Sequence, residues 1–392
     1  MLLSAKIPKS PGSEPFIVRI ADSDSKQSGS EATVAHGDEP LSPNRFKCVL
    51  RIGEAVSPDE ISIPKDLEYL SPGDIVRVNR EAGEIRVLYR RNSPHNTLFF
   101  TERCNSRCLM CSQPPRAIND DHLIEDILEA IPLMSSNTPE ICITGGEPTL
   151  LGERFLAVVE ATKQWLPNTS LHVLSNGRLF SMKFARQVAA IRHRNLMIGI
   201  PLYSDVASKH DFVVQAEGAF DETVRGIMNL ERCDQRVEIR VVIHKQTSER
   251  LPQTARFIAR NIPFVAQVAL MGLEMIGFTK TNLDAIWIDP ADYQSQLSAA
   301  VSELRQAGIN VMIYNHQLCV LSKELWPFAR KSISDWKNIY MRECDECCVR
   351  DSCGGFFASA PLRYSSHIKS VTKVDRQENE AFFPIVPRFS KI

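Results

Sequence analysis

Three cysteines, Cys104, Cys108 and Cys111, stand in the stretch TLFFTERCNSRCLMCSQPPR, separated by three and then two residues. Thiolates are soft ligands that favour zinc or iron–sulfur clusters. Three thiols in one short loop can converge on one small object, yet they are one short of a closed four-thiolate site. A [4Fe–4S] cubane held by only three would keep one iron open to an exogenous ligand, as a catalytic metal keeps an open position. The plainer alternatives are a zinc knuckle or unrelated buried thiols. A second group, Cys344, Cys347, Cys348 and Cys353, lies near the C-terminus. Eleven cysteines gathered in this way, with no secretory signal, fit metal ligation better than disulfides.

Other residues could meet a ligand. Gly145-Gly146-Glu147-Pro148 follows an apolar run, and two glycines let the backbone approach a ligand closely. A plain turn is the ordinary reading of such a pair. Glu147 would either accept from a ligand's ammonium or pair locally. Ser175-Asn176-Gly177 closes another apolar run and is either a ligand contact or an Asn-Gly turn. Arg240 lies among apolar residues, where an unpaired charge is costly. It therefore needs a partner, and a structural ion pair is the plain reading. Tyr203, Ser204, His210-Asp211, His244 and His36 read as solvated loop residues.

The elements that must position these groups follow from periodicity. Between Thr97 and about Asn282, strand-like and helix-like patterns alternate, which predicts a parallel α/β sheet or barrel. Six strands are expected, at 98–100, 140–144, 170–174, 196–200, 237–243 and near 264–270. The stripe Leu123, Ile124, Ile127, Leu128, Ile131 marks a helix, with Asn119-Asp120 as its cap. In barrels chemistry gathers at the C-terminal ends of strands, and the cysteine loop, the Gly-Gly-Glu run and Ser175-Asn176 all fall there. Residues 1–92 read as a small β-rich domain with a hairpin around Glu81-Ala-Gly83, and Ala21 to Pro43 as a flexible loop. That domain either grips a partner along a sheet edge or caps its neighbour. Residues 289–392 open with a helix and a strand, 310–314, and then carry the second cysteine group.

Charge is balanced, 46 basic against 47 acidic residues, which argues against bulk nucleic-acid or membrane-surface binding. No apolar run approaches membrane-spanning length. The chain is expected to be soluble and cytoplasmic.

The three-cysteine loop after a first strand resembles that of the radical S-adenosylmethionine (SAM) enzymes, and ITGGEPTLLG matches their glycine motif. Met110 stands where that family usually has an aromatic residue. The resemblance implies a partial (β/α)6 TIM-like barrel over 93–288, with Cys104, Cys108 and Cys111 holding a [4Fe–4S] cluster. It implies that the Gly145-Gly146-Glu147 run meets the SAM amino group. Ser175 and Asn176 would then face the ribose or carboxylate, and Arg240 the carboxylate. It further implies reductive cleavage of SAM to methionine and a 5′-deoxyadenosyl radical that abstracts hydrogen from the substrate. The spacing of Cys344, Cys347 and Cys353 resembles part of the SPASM and twitch extensions of peptide-modifying radical SAM enzymes. With Cys319 as the fourth ligand, this implies one auxiliary [4Fe–4S] cluster in an extension over 289–392, Cys348 being a bystander or substitute. A four-cysteine zinc site is the rival there.

Together with SISDWKN, these words resemble the His-Xaa-Ser system radical SAM maturases of the HxsC type, over about 91–368. The partners implied are a peptide or protein with His-Xaa-Ser repeats, a second radical SAM maturase, and an electron donor such as flavodoxin or ferredoxin. A small-molecule substrate and a non-enzymatic zinc-stabilised binding module remain the alternatives.

Overall fold

The computed structural model describes residues 3–21, 31–35, 46–55, 57, 60–331 and 339–373. The word SISDWKN at 332–338 and His36 lie outside them. The chain divides into two compact units: Met1–Thr101 with Asn119–Val173 and Ala190–Leu196, and Glu102–Ile118 with Leu174–Ala189 and Met197–Ile392.

The first unit opens with seven short strands, β1 (Ser4–Lys6), β2 (Phe16–Ile20), β3 (Glu31–Ala35), β4 (Cys48–Ile52), β5 (Glu60–Ile63), β6 (Ile75–Asn79) and β7 (Glu84–Tyr89). They form one sheet in the order β1-β7-β6-β2-β3-β4-β5. The expected hairpin is present as the antiparallel pair β6–β7. Strand β3 corrects the expected loop between Ala21 and Pro43. Its Ala32 and Thr33 are buried, and Glu31 pairs with Arg19 at 2.5 Å. Parallel neighbours on both sides complete its ladder, so tertiary pairing overrides weak local propensity. Val18, Leu50, Val76, Val78 and Ile85 form the core of the sheet. Cys48 is a buried strand thiol whose pKa burial pushes up to about 12.

The same unit continues with β8 (Asn96–Phe99), α1 (His122–Ala130), β9 (Glu140–Thr144), α2 (Glu153–Trp165) and β10 (Ser170–Leu174). Strands β8, β9 and β10 pair in parallel. Leu123, Ile124 and Ile127 of α1 are buried, as the helical stripe predicts. The N-terminal sheet is tied to this part by Tyr89, whose hydroxyl lies 2.7 Å from Thr138 Oγ1. An ion pair of 2.7 Å joins Arg77 to Asp126 of α1.

Helix α3 (Met182–Ile191) lies mostly in the second unit. There β11 (Leu196–Pro201), α4 (Ala207–Val214), α5 (Ala219–Glu231), β12 (Arg236–Ile243), α6 (Leu251–Asn261) and β13 (Gln267–Gly272) alternate. Two one-turn helices, α7 (Phe278–Thr281) and α8 (Leu283–Ile286), precede α9 (Gln294–Gln306) and β14 (Asn310–Tyr314). Strands β11 to β14 are parallel neighbours in chain order. The predicted α/β class with parallel strands is thus observed. Ile198, Ile239, Val268 and Val311 are all but inaccessible to solvent, the near-continuous apolar character of strands covered on both faces. Strand β14 extends this parallel set beyond the six strands expected, pairing with β13 from Gln267↔Asn310 onward. Among the described residues no helix is long and apolar enough to cross a membrane.

Candidate active site

The cysteine loop belongs to the second unit and is held from several sides. The amides of Arg107 and Leu109 donate to the carbonyls of Val214 and Val213 at 3.0 and 2.9 Å, which fastens the loop to the end of α4. Phe278 N donates to Cys111 O at 2.9 Å, and Asn282 Nδ2 donates to Leu109 O at 2.8 Å. The first of these contacts requires glycine beside it. Gly277 has φ +56°, and a Cβ there would stand 2.2 Å from Cys111 O. Met110 is buried against Tyr203, Val213 and Ala219, with Cys108 at the edge of the same cluster. A soft apolar side chain thus stands beside the thiols.

Two residues beyond β10 hold the start of the loop. Asn176 Nδ2 donates to Asn105 Oδ1 at 2.6 Å. Arg178 donates to Asn105 O and, at 3.0 Å, to Ser106 Oγ, while its Nε pairs with Glu222 of α5 at 2.6 Å. Arg178 and Glu222 were not singled out in the sequence. The only sequence signal for them is that Arg178 directly follows the Ser-Asn-Gly turn.

The three thiols lie close enough to affect one another. Burial pushes Cys108 up to about 12, and the neighbouring Cys111 and Cys104 add to the rise. Cys111 is also raised by burial. Thiolates crowded in a desolvated loop repel one another, and a positively charged metal core relieves that cost. The donor set therefore fits a thiolate-bound cluster.

The glycine turn belongs to the first unit. Gly145 has φ +146°, and a Cβ there would lie 2.6 Å from Thr101 O, so the close approach of two backbones excludes any side chain. Gly146 N donates to that same carbonyl at 2.7 Å. Thr101 Oγ1 in turn donates to Asp120 at 3.0 Å. Asp120 is thereby engaged with Thr101, whereas the sequence suggested a helix cap. Glu147 is fully buried, and its Oε1 accepts from Thr149 N at 3.0 Å and from the Thr149 hydroxyl.

The remaining sequence-predicted residues lie in the second unit. Ser175 is buried, and its Oγ accepts from Gly177 N at 3.1 Å. Arg240 donates to Glu238 Oε1 at 2.6 Å and approaches Met271 Sδ at 3.2 Å. Tyr203, Ser204, His210 and His244 differ from the solvated loop expected, because all four are buried. Helix α4, absent from the predicted elements, carries His210, and its Val213 and Val214 belong to the same apolar cluster as Tyr203. Tyr203 and His210 stack with centroids 5.8 Å apart. His210 Nδ1 accepts from Tyr203 N at 3.2 Å. Burial lowers His210 to about 4 and His244 to about 3.

Cys319, Cys344, Cys347 and Cys353 line one cavity. Cys348 does not line it and is exposed. Cys353 Sγ accepts from Leu318 N at 3.4 Å and Gly355 N at 3.5 Å, bonds that favour a thiolate. Burial raises both Cys319 and Cys353, and the charges of the other cavity thiols raise them further. Among the described residues no three His, Cys, Asp or Glu side chains are grouped as a single metal ion requires. The arrangement is a ring of thiols around a space. Cys142, in β9, and Cys233, after α5, stand apart from both groups in the chain.

Residues 98–258 match the Radical SAM superfamily. That family uses a [4Fe–4S] cluster and SAM. The chain is 26% identical over 144 residues to GTP 3′,8-cyclase of Peptoclostridium acidaminophilum, covering 36% of this chain and 43% of the relative. It is 23% identical over 196 residues to Fe-coproporphyrin III synthase of Methanosarcina barkeri, covering 47% and 46%. The chain thus spans less than half the length of either relative. Among solved structures it is similar to Streptococcus suis SuiB bound to S-adenosylmethionine, with TM-score 0.48, 14% identity, and 65% of this chain and 56% of that one covered. SuiB bound to its precursor peptide SuiA gives TM-score 0.46 at 14% identity, covering 57% and 49%.

Proposed function

We propose that this chain is a radical SAM enzyme that modifies a peptide, specifically a protein with His-Xaa-Ser repeats. The observation that carries the radical reading is the convergence of Cys104, Cys108 and Cys111 in a clamped loop at the head of the matched domain. When bound, the cluster supplies the electron that splits SAM into methionine and a 5′-deoxyadenosyl radical. The chain's own residues bind, orient and exclude water. Cys104, Cys108 and Cys111 would hold that cluster. The Gly145-Gly146 turn, with the Gly146 amide given to Thr101, offers SAM its carbonyl oxygens, acceptors suited to the amino group. Ser175, Asn176 and Arg240 serve the ribose and carboxylate, with Asn176 also holding the cysteine loop.

The peptide reading rests on the second ring of thiols, which resembles the auxiliary-cluster extensions of peptide-modifying enzymes. In this reading Cys319, Cys344, Cys347 and Cys353 hold an auxiliary [4Fe–4S] cluster. The division into 1–92, 93–288 and 289–392 then separates a β-rich domain, the radical SAM domain and the extension. The enzyme works in the cytoplasm, where thiols stay reduced. It receives electrons from a flavodoxin or ferredoxin and acts beside a second radical SAM maturase. Co-expression with a His-Xaa-Ser repeat peptide, followed by mass spectrometry, tests this. The expected result is a mass change in the peptide that disappears with Cys104→Ser. An unmodified peptide in the presence of an enzyme that cleaves SAM would contradict the peptide assignment.

A further inference from the structure

The second unit holds another cavity. Ile243, Gly272 and Asn315, at the C-terminal ends of β12, β13 and β14, form one side of it. Ligands in parallel α/β folds gather at such strand ends. That side is fixed by its backbone. A Cβ on Gly272 would stand 2.3 Å from Asn315 O, and Asn315 Nδ2 donates back to Gly272 O at 3.2 Å.

The other walls are aromatic: Trp287, Tyr293, Phe356, Phe357 and Tyr364. The Phe356 and Tyr364 rings meet edge to face at 6.1 Å and 78°. Tyr293 contributes its ring, because its hydroxyl is engaged elsewhere. His316 Nδ1 lies 2.8 Å from Tyr314 O, which can only accept, so Nδ1 carries the proton. Nε2 therefore accepts from Tyr293 OH at 2.8 Å. Burial keeps this imidazole neutral.

Arg363 is the one charged side chain among the lining residues. Its guanidinium lies 4.2 Å from the centroid of the Trp287 ring. Its ion pair with Asp284, at 3.3 Å, is a surface contact, since the Asp284 side chain is 99% exposed, and it holds the guanidinium only weakly. Gln317 and Phe356 line both this cavity and the four-thiol cavity, so the two share a wall.

We propose that this cavity binds a flat, uncharged ring side chain of the substrate peptide, with a carboxylate of the same peptide at Arg363. The inference rests on the reading that the substrate is a peptide, and names which part of it the cavity holds. Aromatic walls favour a ring through offset and edge-to-face contacts. A cationic side chain would lose its hydration and meet Arg363 instead.

The test uses the full chain, reconstituted without oxygen, and small probes followed by ligand-observed saturation-transfer NMR. N-acetyl-L-phenylalanine carries both the ring and the carboxylate. Its methyl ester lacks the charge, N-acetyl-cyclohexylalanine lacks the flat ring, and N-acetyl-lysine amide is cationic. The acid is expected to bind at least fivefold more tightly than each of the other three. Arg363→Met should erase its advantage over the ester, and Phe357→Ala should weaken it at least fivefold. Tyr364→Ala, at an exposed position, should also weaken it and guards against a folding defect at Phe357. Equal affinities for all four probes, no binding of any, or affinities unchanged in the variants would overturn the proposal. SAM cleavage without peptide and the mass of the repeat peptide are separate readouts, so failure of the cavity and failure of the peptide reading are distinguishable.

Discussion

Asn176 Nδ2 donates to Asn105 Oδ1 at 2.6 Å, joining the residue after Ser175 to the residue after Cys104. Arg178 adds contacts to Asn105 O and Ser106 Oγ and is itself held by Glu222. The first cysteine is thus positioned by a clamp that carries none of the sulfur chemistry. Losing a side-chain hydrogen bond of this kind costs about 1 kcal/mol, and more where the donor is charged. Asn176→Ala should therefore release iron to a chelator roughly fivefold faster, and Arg178→Met faster still. Iron loss followed by absorbance would check this, and rates equal to wild type would show that the clamp is dispensable.

Gly145→Ala should destabilise the first unit. The added methyl would press on Thr101 O at 2.6 Å in a conformation, φ +146°, that L residues rarely adopt. Strain and overpacking together suggest a loss of about 2 to 4 kcal/mol. A thermal melt of the variant measures it. Gly152→Ala is the comparison, since it has a positive φ and no atom within 4 Å of its Cβ position, and it should cost less.

Acid should weaken the second unit through its buried histidines, His210 and His244 among them. His210 and His244 have folded pKa values of about 4 and about 3, against an ordinary 6.5. Above pH 6.5 both states are neutral and the full stability is present. Below it the unfolded chain takes up protons that the folded chain refuses, so stability falls until the folded values are reached. By pH 5 each contributes a loss on the order of 2 kcal/mol. Urea midpoints at pH 7.5 and 5 should differ accordingly, and the His210→Asn, His244→Asn double variant should narrow the difference, the buried His316 and the half-buried His193 of the first unit supplying the remainder.

Glu60→Ala should cost on the order of 2 kcal/mol, because it removes charge-assisted hydrogen bonds from the fully buried Arg51 guanidinium. The two are joined at 2.5 Å with side chains 1% and 5% exposed. Replacing both with apolar residues should recover much of the loss in a chemical denaturation series, and additive losses would contradict the pairing.

Much of the fold was legible because the strands stand out as short runs of β-branched and other apolar residues, alternating in burial at Glu140–Thr144 and nearly continuous at Leu196–Pro201. Cysteine spacing marked both thiol groups, and Cys319 joins the cavity from a point well upstream. Strand β3 was not legible, since Glu31-Ala-Thr-Val-Ala35 becomes a strand only between two parallel neighbours. Nor was α4, whose sequence of apolar residues has little helical periodicity and whose buried face, His210, Val213 and Val214, includes a histidine. Arg240 and Glu147 were ambiguous in sequence, and each has a local partner, Glu238 and Thr149.

The most direct test is anaerobic reconstitution followed by iron, sulfide and 5′-deoxyadenosine analysis with SAM and dithionite. The wild-type chain is expected to be brown and to form 5′-deoxyadenosine. The Cys104→Ser, Cys108→Ser, Cys111→Ser triple variant should form none while keeping iron at the second thiol ring. Zinc without iron in the wild type, or undiminished product from the triple variant, would contradict the radical assignment.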